Sequence, residues 1–218
     1  MGDVTPMKRS GMSEQRRQRL RLEISREAAR MFWEDGVAAT SGDRIAAAVG
    51  LSTRTLWRHF RTKESCAEPI VAKGVSWVTD LLRRWPADVS LEDHVTAEGR
   101  RYVRETTDAD AADDVLAMKM VVLSTREPAL RTAWLMACDQ SEHDMAAIVA
   151  ARLRLPPDDR RVRLHAAAAS AAMRVTNEWV GAALLAGADP RDFVDTPHLV
   201  AHAVRTATGG ALGDAIPA

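Results

Sequence analysis

Between Arg44 and Lys63 the chain carries Arg44, Arg54, Arg58, Arg61 and Lys63 and no carboxylate. Cations of one sign on a short stretch attract phosphate, and arginine can also pair with a base edge in a DNA groove. Ser41, Ser52, Thr53, Thr55, Trp57 and His59 lie among these cations as further candidate DNA contacts. No Gly-rich phosphate loop, nucleophile elbow or zinc-type spacing is found elsewhere, so neither catalysis nor a cofactor is expected. His198 and His202 are four apart, as are Asp139 and His143, but no carboxylate pair accompanies either set and no metal site is expected. Asp108, Asp110, Asp113 and Asp114 have no His or Cys at ligand spacing and read as a solvated helix start that suits the helix dipole. Cys66, near a helix start and beside Lys63, could be a thiol of lowered pKa, though a small buried residue is the preferred reading.

Which elements position the basic window? Ile45, Ala46 and Val49 share one helical face, and Gly50 permits the positive φ that ends a helix. Leu51 is an apolar plug, and Ser52 or Thr53 caps a second helix whose Leu56 and Phe60 face inward. Two short helices around a Gly-containing turn make a helix-turn-helix, with a recognition helix over about residues 53–60. Upstream, Leu20, Ile24, Ala28, Met31 and Phe32 predict a helix over about 13–35, which Gly36 stops. Arg16, Arg17, Arg19 and Arg21 crowd its first turns, against the dipole, and a nearby phosphate would offset that. Thr40 or Ser41 caps the helix between. Residues 1–13 are expected to be a solvated tail, with Lys8 and Arg9 as lesser candidates for a DNA groove.

These residues form a longer pattern. Ile24, Ala28, Ala29, Phe32 and Gly36 precede Ile45-Ala46-x-x-Val49-Gly50-Leu51-Ser52-x-x-Thr55-Leu56-Trp57-x-His59-Phe60-x-x-Lys63-Glu64. Over about residues 16–66 this resembles the N-terminal DNA-binding domain of the TetR family of bacterial transcriptional regulators. The resemblance implies a homodimer whose two heads bind adjacent major grooves of a near-palindromic operator, and a ligand in the body that changes head separation. The family usually has an apolar residue where Gly42 stands, which predicts a looser start to the second helix. It often has Tyr at Trp57, and Trp57 keeps a donor for phosphate.

The remaining two thirds of the chain match that family only in size and helical character. Apolar residues make up 46% of the sequence, rich in helix formers, and no run alternates with period two, so the fold class is all-α. A three-helix head over residues 1–65 is expected to precede a larger helical ligand-binding and dimerisation domain over residues 66–218. The head holds 13 Lys and Arg against 8 Asp and Glu, and the rest holds 17 against 22. A basic head on an acidic body suits contact with a polyanion at one end. Two cysteines form no disulfide framework, and no apolar run or leader suggests a membrane, so a cytoplasmic protein is expected.

In the body, Pro69 interrupts the linking helix, either as a hinge or as a first-turn proline. Ser90 caps a helix to about 106, and Pro128 opens one through Leu153. Further helices run over about 158–185 and 196–208, with fraying expected from 209 onward. Trp77, Tyr102, Met118, Met120, Trp134, Cys138, Asn177 and Trp179 are candidates to line a pocket for an unknown small, apolar ligand. Val180, Leu184, Leu199, Val200 and Ala203 are candidates for a dimer interface along the last two helices. The expected function is transcriptional regulation, most simply a repressor released from double-stranded DNA by a ligand. Two alternatives are a dimeric DNA-binding regulator without a ligand and a helical small-molecule-binding protein with an incidental basic head.

Overall fold

The computed structural model describes residues 9–189 and 195–216, with side chains from residue 13 onward. Every regular element among them is helical: α1 (Arg9–Glu34), α2 (Gly42–Ala48), α3 (Thr53–His59), a 3-10 turn (Glu64–Ala67), α4 (Glu68–Arg83), α5 (Leu91–Glu105), α6 (Asp108–Leu123), α7 (Pro128–Leu153), α8 (Arg160–Leu185) and α9 (Thr196–Ala207). The ends follow local chemistry. Ser41, Ser52, Ser90, Thr107 and Asp159 cap α2, α3, α5, α6 and α8, each side chain accepting from a backbone N–H of the first turn. Gly50, at φ +67°, makes the turn between α2 and α3.

Pro69 lies in the first turn of α4, after the 3-10 turn, where its missing N–H costs no helical bond. Helix α1 begins at Arg9, so Arg16 to Arg21 stand well beyond its first turn and the predicted conflict with the dipole does not arise. The tail over residues 1–8, with Lys8, lies outside the described residues, as does the Arg9 side chain.

Two apolar cores hold the chain together, and their border is not at residue 65. The first joins Ile24, Phe32, Ile45, Leu56 and Phe60 of the head to Ile70, Val71, Met120, Val121, Leu130 and Trp134 of α4, α6 and α7. The second gathers Leu81, Leu82, Leu91, Met145, Val149, Val162, Ala166 and Val204 at the far end. At that end the fraying predicted from residue 209 is overturned for residues 209–216. Leu212 is buried, Leu91 N donates to Gly213 O at 2.9 Å, and Ile216 N donates to Ala87 O at 2.8 Å. Arg152 reaches the same tail, donating to Asp214 O at 2.9 Å while its guanidinium stacks on Trp85. Among the described residues no helix is long and apolar enough to cross a membrane.

Candidate nucleic-acid interface and body cavity

Helix α3 packs on the first core through Leu56 and leaves Arg54, Trp57 and Arg58 exposed. Arg54, Arg58 and Arg61 form no ion pair or hydrogen bond among the described residues, so their full charge is available to a phosphate. Ser41 and Arg44 flank them on α2, but Arg44 is already paired, its Nη2 lying 2.6 Å from Asp35 Oδ2. Ser52, Thr53 and Thr55 form the N-terminal turn of α3. Ser52 Oγ and Thr55 Oγ1 are 2.9 Å apart, and Thr53 Oγ1 donates to Asp43 at 2.5 Å. His59 is half-buried, and its pKa lies below the ordinary value because burial, then Arg21, Arg58 and Arg17, disfavours a second positive charge.

Lys63, which the sequence places among the candidate DNA contacts, is engaged within the head. Its Nζ donates to Val37 O at 2.6 Å and Thr40 O at 2.8 Å, tying the α1–α2 connection to the end of the recognition unit. The ammonium satisfies the carbonyls of a turn and does not face outward with Arg54 and Arg58. Arg21 acts similarly, donating to His59 O with its guanidinium over the Phe60 ring.

The start of α2 is packed, not loose. A Cβ placed on Gly42 would stand 2.2 Å from Cζ2 of Trp57, so the indole occupies the space of the side chain that Gly42 lacks. Glycine here and tryptophan at residue 57 are complementary: the large ring of α3 lies across the first residue of α2.

The head is bolted to the body by a buried carboxylate. Asp113, predicted as part of a solvated helix start, is only 3% exposed. It accepts from Arg26 through both oxygens, Nε to Oδ1 and Nη2 to Oδ2 each at 2.7 Å, and from Lys73 Nζ at 2.7 Å. Burial pushes its pKa up, but the hydrogen bonds and charges of Arg26 and Lys73 outweigh that and hold it below the usual carboxylate range. One side chain of α6 thus joins α1 of the head to α4 of the body. A second staple is Ser25 Oγ, which accepts from the otherwise unpaired first-turn N–H of Ile70 at 3.0 Å. Arg26, Lys73 and Asp113 were missed in the sequence because nothing local links residues 40 to 87 apart.

Between the two cores lies a cavity of about 390 Å³ walled by α4, α5, α6, α7 and α8, with α9 at its edge. Of the residues proposed for it, Trp77, Tyr102, Met118, Trp134, Cys138 and Asn177 line it. Met120 does not: it is buried in the first core, on the other side of α6 from Met118. Trp179 does not line it either and is 57% exposed on the outside of α8. Two residues proposed for a dimer interface, Val180 and Val200, line the cavity instead. Leu184 and Ala203 are half-buried and Leu199 is exposed. The outward apolar stripe of α8 is formed by Leu164, Ala171, Val175, Trp179 and Ala182.

Polar groups punctuate the cavity wall. Tyr102 Oη donates to Asp114 Oδ2 at 2.6 Å, and its ring meets Trp77 edge-on at 5.6 Å. Burial and that hydrogen bond push the Tyr102 hydroxyl up to about 12. On α8, Glu178 Oε1 accepts from Arg131 at 2.6 Å, Trp134 Nε1 at 2.7 Å and Arg174 at 3.0 Å. Burial pushes the Cys138 thiol up to about 11 and the Cys66 thiol up to about 12, so neither is an activated nucleophile. His198 Nδ1 lies 3.1 Å from Glu92 and its ring stacks on His202, yet no group of three potential ligands could hold a metal among the described residues.

Comparison with known proteins agrees with this architecture. The family model of bacterial regulatory proteins, tetR family, matches residues 24–70, and that of the MftR C-terminal domain matches residues 95–185. The chain is 32% identical over 185 residues to the HTH-type transcriptional regulator TcmR of Streptomyces glaucescens, covering 80% of this chain and 81% of the relative. Among solved structures, Salmonella enterica GusR is similar in fold, with a TM-score of 0.53, 21% identity and coverage of 88% of this chain and 94% of that one. So is a Mesorhizobium loti protein assigned to the TetR family, with a TM-score of 0.50, 21% identity and coverage of 89% and 97%.

Proposed function

The chain belongs to the TetR family of bacterial regulatory proteins, DNA-binding regulators of transcription and not enzymes, and from that premise we propose a cytoplasmic, homodimeric repressor released from its operator by a small, largely apolar ligand. The observation that carries the reading is the continuity from unpaired arginines to cavity. Arg54 and Arg58 stand on a head whose first helix is clamped, through Arg26 and Asp113, to the same α4 and α6 that wall the cavity. A ligand that spreads or rotates α4 against α6 must move α1 or break that clamp. The ligand needs only a different affinity for the two head positions, and a coupling of about 1–3 kcal/mol changes operator affinity roughly 5- to 150-fold.

Dimerisation is supported by the α8 stripe, where Leu164, Val175 and Trp179 are 64%, 56% and 57% exposed. Such a strip is unusual on a monomer in water. Two copies joined along α8 would present two recognition helices to two half-sites, as operator recognition by this motif requires.

The test begins with selection of bound fragments from genomic DNA, followed by anisotropy titrations of the selected operator across a salt series. Specific binding by a dimer, with a steep fall in affinity as salt rises, supports the reading. A monomer in sedimentation, or equal affinity for selected and random DNA, refutes it.

A further inference from the structure

The cavity wall carries two charged groups of opposite sign, and they differ in how far the protein satisfies them. Arg174 is matched by Glu178, its Nη1 donating at 3.0 Å to a carboxylate that Arg131 and Trp134 also engage. Asp114 has no cationic partner among the described residues. Its Oδ2 accepts from Tyr102 at 2.6 Å, and Oδ1 has no protein donor there. It is half-buried in a wall that is otherwise mostly apolar, beside the paired rings of Trp77 and Tyr102.

Asp114 Oδ1, without a protein donor, is open to solvent. An apolar molecule filling the space would strip that water away and leave a charged oxygen unpaired, which is a large penalty in a poorly polar site. A molecule that brings its own O–H or N–H donor avoids the penalty and gains a charge-assisted hydrogen bond. A carboxylate in the same place adds repulsion.

We propose that the cavity takes a largely apolar, ring-bearing molecule with a hydroxyl or ammonium donor, which docks on Asp114 Oδ1 with its ring against Trp77 and Tyr102. This rests on the ligand-binding reading above and gives that ligand a chemical class. Asp114 then sets specificity, and its neighbour Asp113 on α6 holds the head, so the ligand's polar contact falls one residue from the clamp.

The experiment uses one ring system with four head groups: anthracene, 9-anthracenemethanol, 9-(aminomethyl)anthracene and anthracene-9-carboxylate. Binding to the full-length protein is read by quenching of tryptophan fluorescence, and operator release by anisotropy. The methanol and aminomethyl probes are expected to bind on the order of 10-fold more tightly than anthracene, with the ammonium the tighter of the two and the carboxylate weakest. Asp114→Asn should erase the advantage of the ammonium over the alcohol, because the amide oxygen still accepts but the charge is gone. Tyr102→Phe, which removes the internal donor, should preserve or widen the donor preference. That second variant controls for misfolding.

Equal binding of all four probes, or a carboxylate preference abolished by Arg174→Gln, overturns the assignment to Asp114 and leaves ligand control intact. Failure of all four to bind overturns both this inference and the cavity as a binding site. Donor-selective binding with no effect on operator affinity supports Asp114 as a specificity residue and removes ligand control from the proposed function.

Discussion

Replacing Asp113 with Asn keeps the shape of the clamp and removes its charge. Three hydrogen bonds of 2.7 Å converge on this carboxylate, two from Arg26 and one from Lys73. In the variant one oxygen becomes an NH2 group, which must face a guanidinium or an ammonium. Hydrogen bonds to charged groups contribute about 1.5–3 kcal/mol each. The sum is not reached, because the side chains of Arg26 and Lys73 are 41% and 30% exposed and regain water when released. The expected loss is about 2–4 kcal/mol, which a domain of about 5–15 kcal/mol survives. Urea unfolding measures it, and a double-mutant cycle with Arg26→Met should give a coupling above about 1 kcal/mol.

The acid limb gives an independent check. The folded pKa of Asp113 is depressed, so its contribution is fully present above the ordinary aspartate value of about 3.9 and is lost as pH falls through the lower folded value. Asp113→Asn should therefore flatten the loss of stability below about pH 4. In operator titrations the same variant should keep DNA affinity but lose most of its response to ligand. A stability change under about 0.5 kcal/mol, or strict additivity with Arg26→Met, refutes the clamp.

Four further outcomes follow from particular residues. Gly42→Ala should leave thermal stability within about 1 kcal/mol, since Ala favours the helix and the exposed indole can swing away, but it should weaken operator binding by displacing Trp57. Pairing it with Trp57→Ala should add no further loss of affinity, and an additive loss counts against the packing. Lys63→Met should lower stability by about 1–3 kcal/mol through the carbonyls of Val37 and Thr40 and leave the salt dependence of binding unchanged. Arg58→Ala, by contrast, should reduce the magnitude of that salt slope by about one unit, and equal slopes for the two variants would reverse these roles. Val175→Glu should split the dimer in sedimentation by burying a carboxylate in the α8 stripe, and operator affinity should fall with it; an intact dimer moves the interface elsewhere.

The family assignment was legible because its signals are local. Apolar spacing in α2 and α3, the Gly50 turn and the Ser52 cap act within a few residues, so the helix-turn-helix could be read without knowledge of the rest. The ends of α5 and α7 were legible for the same reason, since Ser90 and Pro128 mark them by their own chemistry.

Facing was harder to read where a helix is apolar on several sides. In α6, Met118 and Met120 are two residues apart and therefore turn to nearly opposite sides, one to the cavity and one to the core. In α8, Asn177 and Val180 line the cavity while Trp179 lies outside it. Composition alone does not choose among such faces. The partners of Lys63, Trp57, Asp113 and Leu212 are long-range, set by how helices stack and not by any neighbour in the chain. The sequence by itself determined that the head reads a polyanion, because charge and helix periodicity are properties of short segments. Only the tertiary structure decided which cations stay unpaired, where the cavity opens and how the head is held, because each depends on the meeting of distant carboxylates, carbonyls and rings in space.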